Sequence, residues 1–203
     1  MKRQSMNALT LVAVLVFAGC TGTGEEELSS EIETAVAELG APVAEALMGS
    51  LVSSLTGAMQ KGGPAGAVEF CSTMASELTG EVENAQGLSI KRTSLQYRNP
   101  ANAPDEDEIQ ALRHFEAVLA ESGKLPGHWV QKASREEYRY YRPLSVAAPC
   151  LHCHGAESDI GPEVSAILAE RYPDDLATGY EVGDFRGVIR VSVPAARLET
   201  PGG

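Results

Sequence analysis

Cys150-Leu151-His152-Cys153-His154 sets two thiols two residues apart, with an imidazole directly after the second. A C-x-x-C-H run is the covalent attachment signature of a c-type haem. The thiols at that spacing reach the two neighbouring vinyl groups of one porphyrin edge and form thioethers. The imidazole that follows then falls beneath the iron and can supply an axial nitrogen. The chain carries one such run, so one covalent haem c is expected, bound through Cys150, Cys153 and His154. Zinc would need a second Cys/His pair, which the sequence lacks; only Cys71 with His152 or His154 could be pressed into that service. A thioredoxin-type redox pair needs a βαβ setting, and Gly155 follows His154 here.

Residues 155–203 contain no Met, His or Cys, so a sixth iron ligand would have to come from upstream. The candidates are Met48, Met59, Met74, Cys71, His114 and His128. Each Met also reads as helix core, His114 as an exposed helix position, and His128 as a loop residue beside Trp129.

The N-terminus bears on this chemistry. Lys2 and Arg3 precede an apolar run from Ala8 to Ala18, too short to span a membrane. Residues 1–19 read as a secretory signal. Phe17-Ala18-Gly19-Cys20 resembles a lipoprotein box, which makes Cys20 a candidate lipidation site and residues 20–28 a flexible tether. Covalent haem attachment belongs to the periplasmic side of bacterial membranes, so leader and haem run support each other. A lipid-anchored periplasmic protein is expected, with outer-membrane attachment favoured because Thr21 stands where Asp would signal inner-membrane retention. With Cys20, Cys150 and Cys153 accounted for, Cys71 is left unpaired and needs a role. The net charge of −12 excludes nucleic-acid and anionic-lipid binding as electrostatic functions and calls for a redox partner with a basic patch.

A single domain over residues 29–203 must position these groups. Ile32, Val36, Leu39, Val43, Leu47, Leu51 and Leu55 mark a helix from Leu28 to Met59, with a kink expected at Pro42 near Gly40. Gly62-Gly63 ends it, and Pro64 opens a second helix to about Leu78 that carries Cys71. Leu88–Tyr97 reads as a strand and Asp105–Ser122 as an amphipathic helix. Tyr138–Val146 is a strand leading into the haem run, Gly161–Arg171 a short helix, and Phe185–Val193 the clearest strand. Helices followed by strands without βαβ regularity predict an α+β fold with an antiparallel sheet.

Further stretches carry a family likeness. They are Ala67-Val68-Glu69-Phe70-Cys71, Lys91-Arg92-Thr93-Ser94, Arg98 through Asp105, Pro149 through Gly155, Tyr172-Pro173-Asp174-Asp175, Gly179-Tyr180 and Gly183 through Gly187. In this order and spacing, over roughly residues 30–195, the chain resembles the bacterial haem-c domain family with a PAS-like fold, long catalogued as a domain of unknown function. The resemblance implies a PAS-like antiparallel sheet with long N-terminal helices and an axial pair of His154 and Cys71, with Met74 as the substitute ligand one turn along. It makes Arg92, Arg98 and Tyr180 candidates for holding the haem propionates. The expected function is low-potential electron transfer or redox sensing, without enzymatic turnover. The alternative is a CO or NO sensor module signalling through a separate partner protein; a PAS-like fold argues for it by analogy alone.

Overall fold

The computed structural model describes residues 28–198. The expected leader, the lipidation site Cys20 and the tether lie outside the described residues, Leu28 excepted. Helix α1 (Ser30–Gln86) opens on Ser29, whose hydroxyl accepts from the Ile32 N–H at 3.3 Å, and closes on Gly87 in the left-handed region. Its backbone leaves helical values at Gly63 (φ 62°, ψ −161°), just before Pro64. A Cβ placed on Gly66 would lie 3.5 Å from the Ala58 carbonyl, so the chain folds back there into two limbs, residues 30–62 and 64–86. The expected break at Gly62-Gly63 is therefore present.

The expected kink near Gly40 is not. The helix continues through Pro42, and Gly40 has another task. A Cβ there would lie 2.5 Å from Cβ of Tyr140, so the missing side chain lets the helix rest directly on the sheet. The second limb also runs to Gln86, past the expected end near Leu78, because Val82 still has core to pack against. The apolar stripe is buried at Val36, Val43 and Leu47, whereas Leu55 is exposed as the limbs project beyond the sheet. Among the described residues α1 is long and apolar enough to cross a membrane by length and composition.

The sheet has four antiparallel strands: β1 (Ile90–Thr93), β2 (Trp129–Lys132), β3 (Glu137–Ser145) and β4 (Phe185–Pro194), in the order β1-β4-β3-β2. Strand alternation divides their side chains between two layers. Ile90, Val130, Tyr138, Tyr140, Ile189, Val191 and Val193 face α1. Tyr141 and Val188 face Ala111, Leu112 and Phe115 of helix α2 (Glu106–Ser122). The α+β class with an antiparallel sheet is thus present, as a helix–sheet–helix sandwich. β2 was not expected: its four residues acquire strand geometry from pairing with β3. β1 stops at Thr93, four residues short of the expected end at Tyr97.

Helix α2 is fastened by charge. Asp105 caps it, and Glu108, fully buried, closes a capping box onto the Asp105 N–H at 2.9 Å. The same Glu108 carboxylate accepts from Lys91 Nζ at 2.6 Å and Arg190 Nε at 3.2 Å, neighbours across β1 and β4. Arg139 on β3 donates to both Asp105 oxygens at 2.9 Å. Glu108→Ala would strand two cations under α2, a loss of about 3 kcal/mol for a broken buried network. A fall of that size in the urea unfolding free energy is the expected result, with Glu108→Gln milder.

Candidate functional site: the 150–154 turn and the cleft beside it

The segment after β3 is shaped by local sequence. Pro149 suits the first turn of the 3-10 segment Ala148–Cys150, which runs into the short helix α3 (Leu151–His154). Four residues cannot hold a helix alone, and its carbonyls are held from outside. Arg98 Nη2 donates to the Cys153 carbonyl at 2.5 Å. The Tyr180 N–H donates to the His154 carbonyl at 2.9 Å, and the Gly179 N–H to the Gly155 carbonyl at 2.8 Å.

Arg98 fixes the surroundings as well. Its Nε donates to Asp175 Oδ2 at 2.9 Å and its Nη2 also to the Ala177 carbonyl at 3.2 Å, while Asp175 Oδ1 accepts from the Ala177 N–H. The Ala177 carbonyl lies 2.7 Å from Nδ1 of His154. A carbonyl can only accept, so Nδ1 carries the proton and Nε2 keeps its lone pair. Burial, with Arg98 and Arg186 nearby, lowers the His154 pKa to about 3, against the weaker opposing pull of Ala177. The imidazole is therefore neutral at physiological pH, the form that binds a metal.

The thiols sit on one wall. Cys150 packs beside Val146, Ala177 and Tyr180, and Cys153 beside Val68, Ile160, Val164 and Leu168. Val68 and Cys71 share the second limb of α1, one turn apart. That limb is tied to helix α4 (Pro162–Arg171) by a 2.7 Å contact of Arg171 with Glu69. Water reaches Cys71 from the open side, yet the protein around it raises its pKa: burial favours the neutral thiol, and Arg92 and Arg98 oppose it. Burial also raises the pKa of Cys153, with Arg98 lowering it and Cys71 adding to the rise. Cys71, Arg92, Arg98, Cys153 and His154 thus share one electrostatic neighbourhood. A cleft of about 510 Å³ opens on the His152 side of the turn, lined by Pro64, Ala65, His152, Asp159 and Val164 among others and by none of those five residues.

The other expected ligand candidates fall elsewhere or stay at the margin. Met48 packs against the main core, His114 stacks on Trp129 at 4.5 Å, and His128 stacks on Tyr140 at 5.4 Å. Met74 is 38% exposed. Tyr180 is buried, edge-on to His154 at 6.3 Å. Of the three propionate candidates, Arg98 is spent on Asp175 and two carbonyls, while Arg92 makes no hydrogen bond or ion pair among the described residues, and its Nε is fully buried. Two members of the site were not singled out from sequence: Tyr172, beside Arg92 and Cys71, and Arg186, whose guanidinium lies 5.3 Å over the Tyr180 ring. Both belong to stretches that carry the family likeness.

Comparisons with known proteins bear on the family and the fold. A family model described as Tll0287-like matches residues 6–194. The crystal structure of the cyanobacterial haem protein Tll0287 is similar at 30% identity and a TM-score of 0.58, covering 79% of this chain and 92% of that one. No curated protein matches.

Arg98→Met is expected to release α3 and leave Asp175 without its cation. About 3 kcal/mol of unfolding free energy should be lost, read from urea denaturation. Adding Asp175→Asn should restore part of it.

Proposed function

The chain belongs to the Tll0287-like family, and from that premise we propose that it carries a single haem c, joined by thioethers to Cys150 and Cys153 and ligated through iron by His154 and Cys71. The reading rests first on one observation: His154 Nδ1 lies 2.7 Å from the Ala177 carbonyl, an acceptor that holds the ring proton there and leaves Nε2 for a metal. Metal-binding histidines are oriented in just this way through their second nitrogen. The donor set fits the group. Two thiols stand at attachment spacing, a third sits on the neighbouring helix limb, and the enclosed Arg92 guanidinium awaits an anion, which haem carboxylates would bring.

When bound, the haem supplies one-electron exchange between Fe(III) and Fe(II). The residues set how easily that happens. Arg98 holds the attachment turn in place through the Cys153 carbonyl. Cys71 contributes an anionic sulfur that favours the ferric state and so lowers the potential relative to a Met/His pair. Burial favours the neutral thiol of Cys71, so its thiolate would ligate only where a metal's charge offsets that preference.

This supports a low-potential electron carrier or redox sensor on a PAS-like scaffold, rather than an enzyme. We place it on the periplasmic side of the envelope, lipid-anchored through Cys20, with the outer membrane favoured, and facing a redox or signalling partner that presents a basic patch to the acidic surface. The water-accessible side of Cys71 favours, as a second reading, a diatomic-gas sensor in which Cys71 would yield its place to the gas.

Protein matured in a host with cytochrome-c assembly should gain the mass of one porphyrin, and Cys150→Ala with Cys153→Ala should abolish the gain. Absence of the added mass in the wild type would remove the haem assignment. Cys71→Ala should keep the haem, change the ferric electronic and EPR spectra and raise the midpoint potential. Unchanged ferric spectra would reject Cys71 as ligand.

A further inference from the structure

We infer that Arg92 and Arg186 form a clamp for the two propionates of the haem proposed above, and that Arg98 is no part of it. The inference rests on that haem reading and assigns its carboxylates to named side chains. Three guanidinium groups converge on the Cys71–Cys153–His154 neighbourhood, and their partners differ in kind. Arg98 has a carboxylate, Asp175, at 2.9 Å. Arg92 has none, nor any hydrogen-bond acceptor, among the described residues, although its Nε is fully buried. Arg186 Nη1 donates to Ser94 Oγ at 2.9 Å and to the Gln96 carbonyl at 3.1 Å, and its plane lies over the Tyr180 ring. These neutral partners orient the group, and Asp175, the acid that acts on it from nearby, is already bound to Arg98.

Both side chains are half-buried, and a cation taken partly out of water without a counter-ion is costly to the fold. Burial lowers the pKa of both side chains, the direction expected of cations waiting for an anion. An anionic ligand with two carboxylates would balance both charges, and a guanidinium fork matches a carboxylate well. The placement is rigid. Arg92 lies within β1 and Arg186 at the start of β4, and these strands are paired. Ser94, two residues beyond Arg92, holds Arg186, so the two cations flank one end of the same strand pair. Gly187 permits the approach: a Cβ there would lie 2.4 Å from the Thr93 carbonyl, at φ 144°.

The test uses wild-type holoprotein with Arg92→Gln, Arg186→Gln and, to guard against loss of folding, Arg92→Lys and Arg186→Lys. Covalent haem is scored by mass, propionate bending bands by resonance Raman, and midpoint potential across pH. Each Gln variant should retain the haem and the ferric axial-ligand spectrum, shift a propionate band and move the pH-dependent step in potential to higher pH. The Lys variants should fall between Gln and wild type. In the wild type, propionates paired to guanidinium groups should stay ionised into more acidic solution than free ones. Haem-loaded variants with unmoved bands and an unmoved pH step would overturn the clamp while leaving the haem reading intact. Wild-type protein without covalent haem would overturn both.

Discussion

The guanidinium of Arg98 is the constraint on which the site depends. α3 is four residues long, follows directly on a 3-10 turn, and has none of the cooperative length that stabilises a helix. Arg98 reaches its Cys153 carbonyl, the returning Ala177 carbonyl and the Asp175 carboxylate at once. Ala177, so placed, presents its carbonyl to His154 Nδ1. One side chain therefore fixes the turn that carries the cysteines, the loop that wraps it and, through that loop, the tautomer of the histidine. Displacing Arg98 would disturb all three together, which is why its hydrogen bonds matter more than their individual energies.

The sheet has the complementary task of keeping unlike environments apart. On the α2 side, charges are matched: Glu108 with Lys91 and Arg190, Asp105 with Arg139. On the α1 side the layer is apolar from Val36 to Val193. Beyond it the second limb of α1 turns back at Gly63 and brings Ala65 and Val68 against Cys153 and α4. The broken helix is thus both core and wall: its first limb covers the sheet and its second carries Cys71 to the attachment turn.

How much of this was legible in the sequence depended on range. Features set by neighbours a few residues away could be read directly: the Gly63 break, the helix ending at Ser122, the short helix ending at Arg171, the strand opening at Phe185. Features set by distant partners could not. β2 has no period of its own and exists by pairing with β3. Gly40 beside Pro42 suggested a kink, because the Tyr140 ring that excludes a Cβ lies a hundred residues on. Arg98 looked like a propionate ligand because its residue type suits one, and nothing local revealed Asp175 and Ala177, 77 and 79 residues away. Arg186 shows the same limit from the other side. It lay inside a stretch that carries the family likeness, and its importance emerges only once Tyr180 and Ser94 stand beside it.

Lys91 and Arg92 carry the charge argument between them. They are adjacent on β1, so alternation sends them to opposite faces of one sheet. Lys91 meets a fully buried carboxylate at 2.6 Å; Arg92 forms no ion pair among the described residues, and its buried Nε has no hydrogen-bond partner. Shortage of acid cannot explain the difference, since the chain has 28 Asp and Glu against 16 Lys and Arg. Nor can burial alone, because Arg190 and Arg98, comparably enclosed, both have carboxylate partners. Among the described residues Lys91, Arg98, Arg139 and Arg190 hold carboxylates within 3.2 Å, whereas Arg92 and Arg186, beside the cysteines and His154, form no ion pair, so that place suits added negative charge. The haem proposed for this site would bring such charge, beside thiols at attachment spacing and an imidazole holding its lone pair free.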